Sequence, residues 1–380
     1  DWSWSRGLGD VYKRQSKPEV HLYPATVLKE QILSILLAWG MSESDAKVTA
    51  DVMVETDLRG VDSHGINMLR QYEETKQRGA LNISPNIEIV RERKTTALLD
   101  ADRGLGHPVS VKAMEMAIAK AKIFDIGTVC VRNSHHFGAA GYYAELAAAK
   151  GMIGVVTTST RGISMVPTHG TQPVLGTNPF AFSTPAGKYP PLVLDFATTV
   201  AAVNKVKVHN LKEISLPIGW VNDANGTSIT IPKDALKIFE NRDNGGLNPI
   251  GGIGTTLGGH KGYGLALFSH VLSGVMPGAS FSPVRVKNAA TDTPDDLGHF
   301  FQAINPESFR PIEDFNKDIE IVIDTLKKVT PADPNEPVLL PGEPEQISKA
   351  KRLKSGIPIN DNLQKIIKDI AKNAGVDCLL

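Results

Sequence analysis

Apolar residues recur at helical spacing from Ala25 to Trp39 and the run stops at Gly40, which predicts a helix closed by a glycine. Ser42-Glu43-Ser44-Asp45 then opens a second helix in the manner of a capping box, with Asp where Glu or Gln is usual, and that helix ends near Arg59-Gly60. A third is predicted from about Ile66 to Arg78, stopping at Gly79. The intervening Asp62-Ser63-His64-Gly65 is therefore a polar cluster presented where two helices meet. From about Thr95 strands alternate with helices. The pattern gives a strand through Ala97 to Leu99, a long helix from Pro108 to Phe124, a β-branched strand from Thr128 to Val131, an Ala-rich helix ending at Lys150-Gly151, and a strand from Ile153 to Thr157. Such alternation predicts α/β architecture.

The last three of these elements make a strand-helix-strand unit of the kind that builds parallel sheets. His135 and His136 fall just beyond the carboxyl end of its first strand and just before its helix, where open α/β sheets place ligands. A further strand, Leu192 to Phe196, carries Asp195 at its end. A loop from Asn244 to Gly259 contains seven glycines and leads into a predicted amphipathic helix, Gly262 to Leu272. The stretch from Pro311 to Leu380 reads as mostly polar helix interrupted by the connector PADPNEPVLLPGEPE, and the chain contains neither an internal repeat nor a low-complexity tract.

Composition narrows the partner. Lys plus Arg and Asp plus Glu are 41 each, so no net charge favours nucleic acid or an acidic membrane, and a small molecule is the expected ligand. The cysteines, Cys130 and Cys378, make neither a disulfide framework nor a clustered metal site. No run of about 18 uncharged apolar residues appears, so the expectation is a cytoplasmic protein in a reducing compartment. Asp1 to Gln15 lacks an initiating Met and sustained periodicity, and reads as a foreign or disordered leader.

The chemistry-bearing residues each admit two readings. Gly252, Gly254 and Gly258 are spaced G-x-G-x-x-x-G, one residue off the Rossmann fingerprint. With Lys261 beside them they suit either a diphosphate at a helix start or a plain surface loop. Adjacent side chains diverge, so at most one of His135 and His136 faces a given pocket, as a proton donor or as a turn histidine. Ser63-His64 is not a hydrolase pair in itself, since the nucleophile elbow G-x-S-x-G is absent. Asp195 either accepts from ligand hydroxyls or caps the next turn. No HExxH or Cys/His spacing supports a metal.

Six passages taken together resemble the malate/L-lactate dehydrogenase family of NAD(P)-dependent 2-hydroxyacid oxidoreductases. They are RGVDSHG (59–65), RNSHHFGAAGYY (132–143), GTNPFAFSTP (176–185), VLDFATT (193–199), HKGYGLAL (260–267) and LPGEPE (340–345), in the family's order between Val27 and Gly356. The resemblance implies an α/β (α+β) fold that is not of Rossmann type, with a central mixed sheet. Both termini, 16–80 and 311–380, would form a helical domain beside an α/β cofactor-binding domain at 81–310. It also implies a homodimer, NAD or NADP as cofactor, and a small 2-hydroxy/2-oxo acid as substrate. Carried over position by position, His136 and His64 become the candidate proton donors and acceptors, with Ser63 beside the nicotinamide and substrate. Thr160, Asp195, Phe196, Ala197 and Lys261 become cofactor contacts, with Gly342 and Glu343 toward the adenosine end. Many members have Arg four residues after the SHG histidine, where this chain has Met68; the departure implies either a substrate other than malate or lactate, or that Arg70 or Arg161 takes the substrate carboxylate. The alternatives are a cyclic imine acid reductase of the same family, a non-catalytic small-molecule binder, and a histidine-metal hydrolase.

Overall fold

The computed structural model describes residues 20–211, 213–241, 244–287, 290 and 292–380, so the leader Asp1 to Gln15 lies outside the described residues. Strand β1 (Val20–Tyr23) leads to helices α1 (Ala25–Ala38), α2 (Glu43–Leu58) and, after a 3-10 turn at Ile66–Met68, α3 (Leu69–Gln77). Then come β2 (Glu88–Glu92), β3 (Thr96–Asp100), α4 (Gly106–Phe124), β4 (Ile126–Ser134), α5 (Ala140–Ala148) and β5 (Ile153–Thr158). Strands β6 (Phe180–Ala186) and β7 (Tyr189–Phe196) precede a small excursion of α6 (Val203–Leu211), β8 (Val221–Asp223), α7 (Pro232–Asn241) and β9 (Gly245–Leu247). The chain continues through α8 (Gly259–His270), α9 (Ser282–Lys287), β10 (Leu297–Ile304), α10 (Ile312–Lys327), α11 (Glu343–Ser355), β11 (Ile357–Asn360) and α12 (Asp361–Ala374).

The helix signals read from sequence hold at the first three helices. Ser42 caps α2 by accepting from the Asp45 backbone N–H at 3.2 Å, and Gly40, Gly60 and Gly79 all take positive φ just past a helix end. The predicted amphipathic helix at 262–272 differs. Helix α8 starts at Gly259, ends at His270 and gives way to a π-helical turn over Val271–Val275. Its buried positions include the small residues Gly262, Ala266 and Ser269, whereas Leu265, Leu267 and Phe268 face outward. The close approach explains this inversion, because a Cβ on Gly262 would lie 2.4 Å from the Ile250 backbone.

The central sheet has seven strands in the order β2-β3-β4-β10-β5-β6-β7. Here the expected parallel unit is corrected. Strands β4 and β5 do run the same way, but β10 lies between them and pairs antiparallel with both, from Ala303↔Gly127 on one side to Ala303↔Gly154 on the other. Among the described residues β3 and β4 form the parallel pair of this sheet. Burial of LGHFFQAI on both faces made β10 a central strand, with Phe301 and Ala303 fully buried beneath α4 and α5.

A second core joins the two ends of the chain. Strands β1 and β11 pair antiparallel, and Leu28, Ile32, Ile35 and Leu36 of α1 pack with Met53, Leu69, Ile367 and Ile370. Helix α10 goes elsewhere: Ile323 packs with Ala186 and Leu340 against the β6–β7 hairpin. The loop carrying Ser63 and His64 is thereby fastened to the helical core, and the loop carrying His136 to the sheet.

Candidate active site

His64 and His136 meet across these two cores, their ring centroids 5.3 Å apart. His64 is held by the Ser63 hydroxyl, 2.7 Å from its Nδ1. The turn beneath it is fixed by Asp57, whose carboxyl accepts from the Ile66 N–H at 2.8 Å, and Gly65 is required there because a Cβ would fall 1.8 Å from that carboxyl. Arg352 closes the same loop by donating to the Asp57 backbone carbonyl and to the Asp62 carboxylate.

On the other side, His136 Nδ1 lies 2.8 Å from the Tyr72 hydroxyl and 3.3 Å from the Gly138 backbone nitrogen. The Tyr72 hydroxyl is also 3.5 Å from His107 Nε2. His107 is fully buried and its Nδ1 meets no partner. Burial and the neighbouring His64, His107 and His299 hold His136 well below the usual imidazole range, and burial holds His64 down as well. His107 and His299, both fully buried, are pushed down to about 3. All four rings therefore rest neutral at pH 7. Phe137 lies between α5 and His299, stacked on the His299 ring at 4.6 Å, so the turn after His136 is packed on both sides.

Two hydrogen-bond arrangements fit these distances. In one, Gly138 N–H and Tyr72 O–H both point at Nδ1 of His136, leaving the ring proton on Nε2. In the other, which gives up the Gly138 N–H contact, Nδ1–H donates to the Tyr72 oxygen, Tyr72 O–H donates to His107, and Nε2 of His136 carries a lone pair. Passing between them moves protons and no heavy atom. Tyr72 on α3 and His107 in the first turn of α4 carry no motif signal; tertiary packing brings both to His136.

His135 points away from this cluster. Its Nδ1 is 3.1 Å from Asp295 and its Nε2 is 3.0 Å from the Ala80 carbonyl. Asp295 in turn takes Arg161 Nε at 3.2 Å. Tyr72, His135, His136 and Asp295 line one narrow cavity with Gln71, Thr75, Leu81 and Leu105. Arg70 is not brought there: it is exposed and pairs with Glu74 along the surface of α3.

The remaining candidates gather along the far edge of the sheet. Thr160 donates to Asn178 Oδ1 at 2.9 Å, and Asn178 reaches the carbonyl of Ala266 in α8 at 3.1 Å. Thr198 binds the carbonyls of Thr177 and Asn178, and Ile250 N–H returns to the Thr198 carbonyl. The glycine loop, the GTN turn, the end of β7 and the start of α8 are thus one assembly. One oxygen of the exposed Asp195 carboxylate, Oδ2, accepts from the Gly141 N–H at 2.7 Å and so caps the first turn of α5 from a distant strand. Phe196 lies 6.0 Å from Phe180, and Ala197 follows it half-buried. Gly342 packs on Val193, and Glu343 accepts from Leu340 N–H at 2.8 Å while pairing with Lys327.

A dinucleotide fits this edge by two observations. The buried Thr199 hydroxyl has no partner, and Lys261, exposed in the first turn of α8, meets no carboxylate among the described residues. Among the described residues no group of three or more His, Cys, Asp or Glu is arranged to hold a metal ion.

Comparison with known proteins decides the family. Residues 23–368 match the malate/L-lactate dehydrogenase family. The chain belongs to that family. Malate dehydrogenase of Pyrococcus abyssi is 40% identical over 353 residues, 93% of this chain and 95% of the relative. L-sulfolactate dehydrogenase of Methanocaldococcus jannaschii is also 40% identical, over 92% of this chain and 96% of the relative. The crystal structure of malate dehydrogenase from Entamoeba histolytica superposes with a TM-score of 0.90 at 32% identity, covering 94% of this chain and 99% of that one. The chain is thus an oxidoreductase of the hydroxy-acid dehydrogenase class on a mixed α/β fold.

Proposed function

We propose that this protein catalyses reversible hydride transfer between NAD or NADP and the 2-carbon of a small 2-hydroxy/2-oxo acid, with His136 exchanging the hydroxyl proton. The observation that carries this is the buried contact of His136 with Tyr72, which fixes one ring nitrogen and leaves the other for substrate. Thr160, Phe196, Ala197, Thr199 and Lys261, with Gly342 and Glu343 farther out, would hold the dinucleotide, which when bound would supply or accept the hydride.

Oxidation of a hydroxy acid requires a base for the O–H proton. His136 is neutral at rest, so its Nε2 lone pair is available once Nδ1–H turns to Tyr72. Tyr72 stays protonated, since burial raises its phenol, and so remains a donor, toward His136 in one arrangement and toward His107 in the other. In the reverse direction the imidazolium is a strong acid for the same reason that it is scarce. His64, oriented by Ser63, closes the other side of the substrate space. Arg161 is the better-placed clamp for the substrate carboxylate, because its partner Asp295 shares a cavity with His136, whereas Arg70 faces solvent.

The protein is proposed to work as a cytoplasmic homodimer. The outward residues Leu265, Leu267, Phe268, Val271, Val275 and Met276 form an apolar strip on α8 and its π-helical extension, suited to a second copy. Among the described residues no helix is long and apolar enough to cross a membrane. The test of function is an absorbance screen at the reduced-nicotinamide band, with both cofactors, against 2-oxo acids and cyclic imine acids. Turnover of malate-, lactate- or sulfolactate-type acids is expected. Turnover of imines alone would transfer the site to imine reduction, and tight cofactor binding without turnover would make the chain a binder.

A further inference from the structure

His135 is boxed between two hydrogen-bond acceptors. Its Nε2 faces the Ala80 carbonyl at 3.0 Å, and a carbonyl can only accept. Its Nδ1 faces the Asp295 carboxylate at 3.1 Å. A neutral ring can donate from one nitrogen only, which would leave its other lone pair facing an oxygen inside the protein, the Asp295 carboxylate if Nε2 donates and the Ala80 carbonyl if Nδ1 donates. His135 and Asp295 are both nearly inaccessible, so solvent cannot relieve that repulsion. The second oxygen of Asp295 takes Nε of Arg161 at 3.2 Å. Among the described residues no second acceptor meets the Nη nitrogens of Arg161, and its side chain is 40% exposed.

We propose that Asp295 is the positioning residue for Arg161, and that His135 is a resident imidazolium that keeps Asp295 ionised so that it can hold the guanidinium toward the substrate carboxylate. The triad carries one net positive charge: His135 and Arg161 contribute two and Asp295 removes one. A lone buried carboxylate would neutralise Arg161 and weaken its hold on an anion; the imidazolium restores the balance. Asp295 itself is held below its usual range by His135, Arg161 and Arg285, in keeping with an ionised group. His135 thereby gains a role separate from that of its neighbour: His136 moves the proton, while His135 sets the charge of the clamp. This rests on the reading of the site as one for a 2-oxo or 2-hydroxy acid.

Two measurements test it. The first needs no variant and no substrate. Nitrogen-15 NMR of the intact protein at pH 7, with His135 assigned by comparison with His135→Gln, should show both ring nitrogens protonated. A neutral ring would overturn the proposal whatever the enzyme turns over: an unprotonated Nδ1 would mean that the proton sits on Asp295, and an unprotonated Nε2 would mean that no imidazolium holds Asp295 ionised. The second compares wild type, Asp295→Asn, Arg161→Met and the double variant on a 2-oxo acid and on its uncharged 2-oxo amide. Asp295→Asn should raise KM for the acid on the order of 10-fold, leave cofactor KM unchanged, and affect the amide little. In the Arg161→Met background it should have no further effect, since its action runs through Arg161. Equal losses on acid and amide, or additive losses in the double variant, would overturn the proposal. Wild-type inactivity on every 2-oxo acid would instead count against the function proposed above.

Discussion

Replacing Asp57 by Asn should remove one pH-dependent contribution to stability, that of a buried carboxyl group. The Asp57 carboxyl is buried and has the Ile66 N–H as its one donor, while Arg352 binds the backbone carbonyl of Asp57 rather than its side chain. Burial pushes the group up from 3.8 to about 8, with the nearby Asp62 adding to the rise. Between those two values the folded protein holds a proton that the unfolded chain has released. Stability is therefore greatest below the unfolded value and falls as pH rises toward the folded one, by about 1.4 kcal/mol per pH unit. From pH 5 to pH 7 the loss traceable to Asp57 is about 2.5–3 kcal/mol by that slope. Asn is neutral throughout and its oxygen can still accept from Ile66, so the variant avoids this loss. Urea denaturation of both proteins at half-unit intervals from pH 5 to pH 7 reads the effect directly. His107, His136 and His299 titrate in both proteins and cancel from the difference. The variant should gain on the wild type steadily with pH. A difference between them that stays constant over the interval would show that Asp57 is ionised in the folded state and refute the reasoning.

Three further outcomes follow from the site. His136→Asn should lower turnover by roughly 10²–10⁴-fold with cofactor affinity retained. The wild-type oxidation rate should fall with acid only well below pH 6.5, because the neutral ring is the active base; a limb above pH 7 carried by His136, or normal turnover in both His136→Asn and His64→Asn, would sink the assignment. Lys261→Ala should raise cofactor KM more than it lowers kcat, since a diphosphate is held alike in ground and transition states; unchanged cofactor affinity with collapsed kcat would argue otherwise. Phe268→Asp combined with Val275→Asp should convert a dimer to monomer in light scattering, and an unchanged mass would move the interface off α8.

Local rules made much of this protein readable before any contact was known. Helix ends follow from a backbone that needs glycine where φ turns positive, and Gly40, Gly60 and Gly79 stand at those points. The six ordered passages carried the family, and with it the mixed sheet and the candidacy of His64 and His136. Tertiary packing decided the rest, because each remaining relation joins residues far apart in sequence. Strand β10 lies between two strands that sequence order suggested were neighbours, since its register partners are over a hundred residues upstream. That Asp195 at the end of β7 reaches Gly141 in α5 could be read from neither segment alone, and Arg70 and Arg161 were equivalent clamps until one was found on the solvent face of α3. Tyr72, His107 and Asp295 left no mark in the sequence at all. A hydrogen bond between residues 72 and 136, or an ion pair between 135 and 295, is written in no local pattern; it exists because burial removes water and obliges each polar group to find its partner within the fold.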